Sequence, residues 1–268
     1  MHITITGNLG SGKSTVCKLL NERYHFEVYS TGKVQRELAA KMNMTTLELN
    51  QMMRSDKKYD TMIDDETTRI SREKKDQNII FDSRLAWYFA EDTFKVFISV
   101  SLDEAAHRVF HDKRGDVENY TSIEEAKEAL AKRAETENIR YKEIYNLNYM
   151  DFNNYNLVID STFCSPELIA DIIIKEAREY ECKGYNKTKR LVSPRRLIKD
   201  SDIDNDDKVK LKELIENYKD MSNNQYIIDK VIKVKPLDEQ YTIVDGLDHV
   251  KAAYIADALF VQIEVLDS

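Results

Sequence analysis

Three of the chain's seven glycines fall within six positions near its start, in the segment Gly7-Asn8-Leu9-Gly10-Ser11-Gly12. Lys13 and Ser14 follow, so that residues 7–14 read G-x-x-x-x-G-K-S. Glycines at these positions let successive backbone N–H groups point at one anion, and the start of a helix adds its positive end. The pattern predicts a phosphate-binding loop for ATP or GTP.

Each residue of this loop has an expected role. Lys13 is placed to reach the β- and γ-phosphates, and the Ser14 hydroxyl is placed to ligate Mg²⁺. The residues expected to hold ATP are Gly7, Gly10, Ser11, Gly12, Lys13, Ser14 and Thr15. Such loops serve GTPases, motors and small-molecule kinases alike, so the loop alone does not define the reaction.

The loop must be positioned by a sheet. Short apolar or β-branched segments alternate with helical ones, which predicts an α/β fold with a parallel sheet and helices on both faces. The predicted strands are 2–6, 26–30, 78–82, 95–100 and 156–160. The later predicted helices include 45–54, 59–75 and 166–180.

Ligands of such sheets bind beyond the carboxyl ends of the strands. Thr31-Gly32 and Asp82-Ser83-Arg84 follow two of the predicted strands, so we expect them beside the loop. A carboxylate at this edge is suited to hold magnesium or its water shell, which makes Asp82 a metal candidate together with Ser14. The alternative for Asp82 is a helix cap or a turn residue.

A long helix is predicted over residues 122–145, where Ser122 and Glu125 form a capping box. Arg133, Glu137 and Arg140 share one face of this helix because they lie at i, i+4 and i+7. Two arginines there could clamp a transferring phosphoryl group, with Glu137 orienting them or the acceptor. The alternative is a salt-bridged face exposed to solvent.

With these residues in view, positions 1 to about 175 resemble a cytidylate kinase of the short, archaeal-type CMP/dCMP kind. The resemblance is carried by the segments GNLGSGKST, STGKVQREL, FDSRLAW, the AHR of SLDEAAHRVF, and RAETENIRYKEIYNLNYMDFNNYNLVIDS. It implies a P-loop sheet with a helical lid. It also implies a nucleoside monophosphate kinase that moves the γ-phosphate of ATP to a pyrimidine nucleotide, with Mg²⁺ as cofactor.

The resemblance also implies roles for single residues. Lys13, Asp82, Arg133 and Arg140 are the implied catalytic residues, the last two as lid arginines. The implied substrate-binding residues are Thr31, Gly32, Arg36 and Arg84. Glu137 is a further substrate-binding candidate, because of its place on the helix face between the two arginines. Two positions depart from the family: Ser83 stands where a glycine is usual, and Leu85 stands where bacterial relatives have an aspartate that helps to select cytosine. Leucine at this second position does match the archaeal-type pattern.

The remainder of the chain differs in composition. Residues 183–199 carry seven basic side chains and no acidic one, and the run DSDIDNDD at 200–207 then reverses the charge. This pattern is typical of a linker followed by a turn with capping aspartates. The alternative for the basic run is a phosphate-binding patch. Residues 191–268 resemble, more weakly, a small α+β ParB/sulfiredoxin-like domain. The family's D-G-x-H-R pattern reads Asp245-Gly246-Leu247-Asp248-His249 here, so the expected histidine is an acid.

We therefore predict a kinase domain at 1–180, a linker at 181–195 and a second domain at 196–268, with a binding or regulatory role or a purely structural one. Two alternatives to the nucleotide kinase remain open. One is a P-loop kinase for a different small molecule, and the other is an interaction protein that uses the loop as a nucleotide-dependent switch.

Composition bounds these hypotheses. The net charge of −8 argues against a nucleic-acid coat and against an anionic membrane surface as partners. Without a signal-like start or an 18-residue apolar stretch, the sequence predicts a cytoplasmic protein with a small-molecule substrate. Three scattered cysteines fit neither a disulfide framework nor a metal site, and Cys17 is expected to be a buried thiol.

Overall fold

The computed structural model describes residues 1–31, 39–44, 58–111, 120–184, 187–222, 227–237 and 240–266. The chain divides into two compact units: Met1–Leu157 with Ser165–Thr188, and Val158–Cys164 with Lys189–Ser268. The domain limits 1–180, 181–195 and 196–268 stay a prediction. Within the range expected to be a linker, residues 189–192 form a strand.

The first unit is built on a parallel sheet. Its strands are β1 (His2–Gly7), β2 (Glu27–Ser30), β3 (Ile79–Asp82) and β4 (Thr93–Ser99). They lie in the order β2-β3-β1-β4, and each neighbouring pair is parallel. These four strands and their parallel arrangement were predicted from the sequence, and the prediction is confirmed.

Strand β1 lies between two neighbours and is covered on both faces. Its residues alternate between isoleucine and threonine, yet Ile3, Thr4, Ile5 and Thr6 are all fully buried. This is the pattern of a central strand in a parallel sheet, where neither face meets solvent. Because β1 ends at Gly7, the glycine-rich segment lies at the carboxyl edge of the sheet.

Six helices of the first unit are described. They are α1 (Lys13–Tyr24), α2 (Lys58–Glu73), α3 (Ala86–Phe89), α4 (Leu102–His111), α5 (Ile123–Tyr145) and α6 (Pro166–Lys183). Helices α1 and α6 pack against each other, and α4 packs against α5. The predicted helical segment at residues 45–54 lies outside the described residues. None of the helices described in either unit has the length and apolar character needed to cross a membrane.

The start of α5 shows how the sequence sets a local boundary. Ser122 accepts a hydrogen bond from the Glu125 N–H at 3.1 Å, as the predicted capping box requires. The Glu125 carboxylate, however, accepts from the Thr121 N–H at 2.7 Å rather than from that of Ser122. The cap therefore spans one more residue than predicted.

The second unit contains a mixed sheet. Its strands are β6 (Lys189–Val192), β7 (Ile227–Leu237), β8 (Gln240–Asp245) and β9 (Phe260–Val265), in the order β6-β9-β7-β8. The β7–β9 pair is parallel, whereas β6–β9 and β7–β8 are antiparallel. Strand β5 (Leu157–Asp160) contains the boundary between the two units.

Three α-helices are described in the second unit: α7 (Asn205–Lys210), α8 (Lys212–Ser222) and α9 (Leu247–Ile255). Its core is continuous and includes Ile232, Val250 and Val261, all fully buried. The acidic run forms helix caps as predicted, because Asp204 and Asp207 bond each other's backbone N–H groups at 2.9 and 2.7 Å.

Candidate active site

The loop between β1 and α1 is held in shape by backbone hydrogen bonds, one within the loop and one to β4. The Ser11 N–H donates to the Asn8 carbonyl at 3.3 Å, and Asn8 N–H donates to the Ile98 carbonyl of β4 at 3.1 Å. Gly12 is the N-cap of α1 and has φ +80° and ψ 10°, a left-handed conformation that glycine adopts without strain. The first N–H groups of α1 are thereby presented at the end of β1.

The Ser11 hydroxyl is a sign that this loop is shaped for a ligand. The Ser11 Oγ atom is buried, and it has no hydrogen-bond partner among the described residues. A buried hydroxyl without a partner is costly, so such groups are uncommon in folded proteins. A phosphate oxygen in the loop would satisfy it, which agrees with the role predicted for Ser11.

Lys13 and Asp82 form an ion pair across the sheet edge. The β1–β3 register pairs Ile5 with Asp82, so the end of β3 lies beside the loop. The two side chains are only 18% and 13% exposed, which reduces the screening of their charges by water. The structure therefore brings the predicted loop lysine and the predicted metal-binding carboxylate together.

The turn after β3 is tied to β1. The Thr6 hydroxyl donates to the Ser83 carbonyl at 3.0 Å and lies 3.4 Å from the Arg84 carbonyl. Arg84 in turn donates through Nη1 to the carbonyl of Gly7, the first glycine of the loop. Leu85, the residue after Arg84, is 5% exposed and packs into the core.

Helix α5 approaches this turn through Glu137. One carboxylate oxygen accepts from Arg84 Nε at 2.9 Å, and the other accepts from Arg133 Nε at 3.1 Å. The predicted helix face thus does contain an internal ion pair, Arg133–Glu137, as its alternative interpretation requires. The same carboxylate also binds an arginine from the sheet edge, 53 residues earlier in the chain.

Two tyrosines line the contact between α5 and Arg84. The Arg84 guanidinium lies 5.9 Å from the ring centroid of Tyr149, and the rings of Tyr141 and Tyr149 meet edge to face at 5.7 Å. Burial raises the pKa of Tyr141 to about 12, with Glu137 adding to the rise and the Arg84 and Arg140 cations opposing it. Arg140, the second predicted lid arginine, is half-buried on the same helix.

The other predicted site residues are only partly described. The Thr31 hydroxyl lies 3.4 Å from the Asp82 carbonyl, so Thr31 is at the predicted edge. Gly32 and Arg36 lie outside the described residues. Ser14 and Thr15 are exposed in the first turn of α1. Burial raises the pKa of Cys17 to about 11, so this cysteine is the buried thiol that was predicted.

Arg108 is a site residue that the sequence analysis missed. It lies on α4, is held by Glu104 at 2.8 Å, and its Nη1 approaches the Gly10 carbonyl at 3.5 Å. The same nitrogen lies 4.0 Å from where a Cβ atom on Gly12 would be. Arg108 stands in the AHR segment, but no local pattern distinguishes an arginine that reaches a loop from one that faces solvent.

A magnesium ion fits the residues at this edge. The described residues contain no cluster of three or more His, Cys, Asp or Glu side chains that could enclose a metal. Mg²⁺ bound with a nucleotide needs no such cage, because phosphate oxygens and water supply most of its ligands. One hydroxyl, Ser14, and one carboxylate, Asp82, suffice as the protein's share.

The D-G-L-D-H segment of the second unit is a strand-to-helix turn. Asp245 ends β8, Gly246 is the N-cap of α9, and Asp248 lies exposed in the first turn. The His249 Nδ1 atom is hydrogen-bonded to the Tyr218 hydroxyl. Within the second unit, this turn has an acidic residue on either side of its glycine.

Comparison with known proteins places the first unit in context. Residues 2–162 match the Cytidylate kinase-like family. A cytidylate kinase of Methanococcoides burtonii is 33% identical over 175 residues, which are 65% of this chain and 95% of that protein. A crystal structure of an uncharacterized protein from Eubacterium ventriosum superposes with a TM-score of 0.51 at 18% identity, covering 66% of this chain and 98% of that one; this likeness concerns the fold alone.

A third relative bears on the choice of activity. An S-adenosylmethionine-dependent nucleotide dehydratase of Lacinutrix mariniflava is 31% identical over 174 residues, which are 65% of this chain but only 35% of that longer protein. Sequences similar to the first unit therefore occur in proteins with different names, and similarity alone does not define the reaction.

Proposed function

The chain belongs to the cytidylate kinase-like family, and from this we propose that it transfers the γ-phosphate of ATP to a pyrimidine nucleoside monophosphate, CMP or dCMP. The observation that carries the proposal is the grouping at one sheet edge of the loop lysine Lys13, the carboxylate Asp82 and the arginine Arg84. A nucleotide switch needs the first two, whereas the arginine adds a second cation suited to an acceptor phosphate.

On the donor side, the loop N–H groups, Ser11 and Lys13 bind the phosphates of ATP. The lysine and the helix N-terminus lower the cost of gathering negative charge at the β- and γ-phosphates. Ser14 and Asp82 would hold Mg²⁺, which supplies further charge neutralisation when bound. Arg108, on the α4 side of the loop, adds a cation near Gly10 and Gly12.

On the acceptor side, Thr31 and Arg84 bind the monophosphate, together with Gly32 and Arg36. The lid arginines Arg133 and Arg140 neutralise charge that develops during transfer, and closure of the lid excludes water. The acceptor is already an anion, so phosphoryl transfer here requires no strong general base. Catalysis then rests on positioning and electrostatics.

The second unit is proposed to be a binding or regulatory module. Two observations support this proposal. The second unit has a hydrophobic core of its own. The glycine of its strand-to-helix turn, Gly246, has an acid on either side, Asp245 and Asp248, and is not followed by a lysine. A ParB/sulfiredoxin-like identity remains a prediction from residues 191–268. Asp248, where that family has histidine, disfavours phosphate binding at this turn.

The test is an ATP-consumption assay of the full chain with CMP, dCMP, UMP, AMP, GMP and free serine as acceptors. We expect CMP or dCMP to be the fastest, with the Lys13→Ala variant as the inactive control. Turnover with serine alone would favour the second candidate, a P-loop kinase for a different small molecule. ATP binding without turnover of any acceptor would overturn the kinase proposal and favour a switch.

A further inference from the structure

Glu137 lies between two arginines that come from different parts of the first unit. Its Oε2 atom accepts from Arg84 at 2.9 Å, and its Oε1 atom accepts from Arg133 at 3.1 Å. The Arg84 side chain is 16% exposed and that of Glu137 is 22% exposed, but Arg133 is 50% exposed. Because water screens exposed pairs strongly, Arg84 is the partner with the stronger coupling to Glu137.

Arg84 is fixed by more than this ion pair. Its Nη1 donates to the Gly7 carbonyl, its guanidinium lies over the Tyr149 ring, and its backbone carbonyl is beside the Thr6 hydroxyl. The guanidinium is therefore held at Nε by Glu137, at Nη1 by the Gly7 carbonyl and on one face by the Tyr149 ring. The Arg84 side chain is therefore fixed in one orientation, and it loses little conformational entropy when a phosphate binds.

A guanidinium has five N–H donors. Two of them are used by Glu137 and Gly7 in the described part of the chain, so Arg84 can still offer donors to a phosphate. The Glu137 carboxylate has the opposite character, since each of its oxygens already accepts from an arginine. An acceptor hydroxyl would have to compete with both cations for it.

We propose that Glu137 is a positioning residue: it holds the guanidinium of Arg84 beside the first glycine of the phosphate loop, and it acts on the reaction through Arg84 rather than by touching the acceptor nucleotide. Tyr149 is the platform on which that guanidinium rests. This inference rests on the proposed kinase function. It differs from the role expected from the helix face alone, in which Glu137 orients Arg133 and Arg140 or binds the acceptor.

The experiment is a double-mutant cycle on the full chain, with kcat and KM for CMP measured at saturating ATP. The variants are Glu137→Gln, Arg84→Gln and the double variant. We expect Arg84→Gln to lower kcat by about 10²-fold, as the loss of a charge-stabilising donor does. Glu137→Gln should lower kcat by about 10-fold, because a misplaced group loses part of its effect.

The decisive result is non-additivity. If Glu137 acts through Arg84, then Glu137→Gln adds less than about 2-fold once Arg84 is glutamine. Glu137→Asp, which keeps the carboxylate, should recover part of the lost kcat, and a purely structural effect would not show this recovery. Effects that multiply in the double variant would show that Glu137 acts independently of Arg84, and would overturn the inference.

Two further variants sharpen the result. A parallel cycle of Glu137→Gln with Arg133→Gln should be additive to within about 2-fold, because Arg133 and Glu137 form an exposed i,i+4 pair that couples only weakly. Stronger coupling there than with Arg84 would also overturn the inference. Asp103→Asn is the matched control, because Asp103 is an 81% exposed carboxylate that pairs with Lys127 of α5, and we expect kcat within about 2-fold of the unmodified chain.

Failure of the proposed function is recognised separately. If the unmodified chain does not phosphorylate any nucleoside monophosphate, the kinase proposal fails and this inference falls with it. If the unmodified chain is active but the Arg84 cycle is additive, the inference alone fails.

Discussion

Two turns of the molecule use glycine in the same way, one in each unit. Gly12 joins the glycine-rich loop to α1 with φ +80° and ψ 10°, and Gly246 joins β8 to α9 with φ +94° and ψ 21°. Both are helix N-caps in a left-handed conformation. Each turn therefore presents the N–H groups of a helix start at the end of a strand.

The surroundings of the two glycines differ. Among the described residues, a Cβ atom on Gly12 would meet within 4 Å only Arg108 Nη1, at 4.0 Å, and Lys13 is the next residue. A Cβ atom on Gly246 would lie 2.7 Å from Ile232 Cδ1, in the packed core. The acids Asp245 and Asp248 stand on either side of this second turn. In both turns the backbone exposes the N–H groups at the start of a helix. Only the turn at Gly12 also has open space and cationic neighbours, which suit it to bind phosphate.

The largest expected effect comes from removing the cation next to Gly12. Lys13→Ala should abolish phosphoryl transfer, with a loss of 10³-fold or more in kcat, because the transferred charge loses a direct partner. A coupled ATP-consumption assay with CMP measures it. Lys251→Ala is the control. The Lys251 side chain is 16% exposed, close to the 18% of Lys13, and it pairs with Asp207 at 2.8 Å, but it belongs to the second unit. Substantial turnover by the Lys13 variant would refute the loop mechanism.

A second effect separates the two lid arginines. Arg133→Ala and Arg140→Ala should each lower kcat by about 10²-fold if both reach the transferred group on closure. Steady-state kinetics with CMP and ATP give this comparison. Unchanged kinetics for both variants would show that this face of α5 is an ordinary salt-bridged surface. The Arg133–Glu137 pair at 3.1 Å is compatible with that interpretation.

Alanine at each turn glycine tests the comparison directly. Both variants place a side chain in a left-handed conformation, at a cost of about 1–3 kcal/mol. Gly246→Ala should lower the free energy of unfolding more than Gly12→Ala, because its Cβ also collides with Ile232. Only Gly12→Ala should weaken ATP binding. Urea denaturation and calorimetry measure the two quantities, and a loss of ATP affinity in Gly246→Ala would contradict the assignment of the two turns.

The smallest effect concerns pH. Burial lowers the pKa of His249 below its usual value of 6.5, Lys230 adds to the decrease, and Asp248 and Asp245 oppose it. The unfolded chain therefore takes up this proton first as the pH falls, and stability decreases below about pH 6.5. The neutral ring is also the form that accepts from the Tyr218 hydroxyl.

The check is the difference in melting temperature between pH 7.5 and pH 5.5. It should be larger in the unmodified chain than in His249→Gln, by about 1–2 °C. An equal pH dependence in both proteins would show that His249 is not held in its neutral form.

Much of the first unit could be predicted because its signals are local. Strand β1, the loop and the start of α1 follow from a short β-branched run, three glycines and a lysine, which specify backbone conformation within about 20 residues. Ser122 caps α5 for the same reason. The Asp-rich run of the second unit was also interpreted correctly, since Asp204 and Asp207 lie three residues apart and bond each other's backbone.

The contacts of the site were harder to predict. The sequence placed Arg133, Glu137 and Arg140 on one helix face but could not choose between a clamp and a salt-bridged surface. Glu137 in fact bonds both Arg133, four residues away, and Arg84, 53 residues away. Arg108 gave no local signal, because its approach to Gly10 depends on how α4 packs against the loop.

The sequence by itself determined the phosphate loop, the alternation of strands and helices and the family, because each depends on residue types at short, fixed spacings. Tertiary structure alone decided which carboxylate meets which cation: Lys13 with Asp82, and Arg84 with Glu137. Charges far apart in sequence pair only when the parallel register and the packing of α5 bring their backbones together. That pairing also decides which cations stand beside a glycine turn, and hence which of two similar turns is suited to bind phosphate.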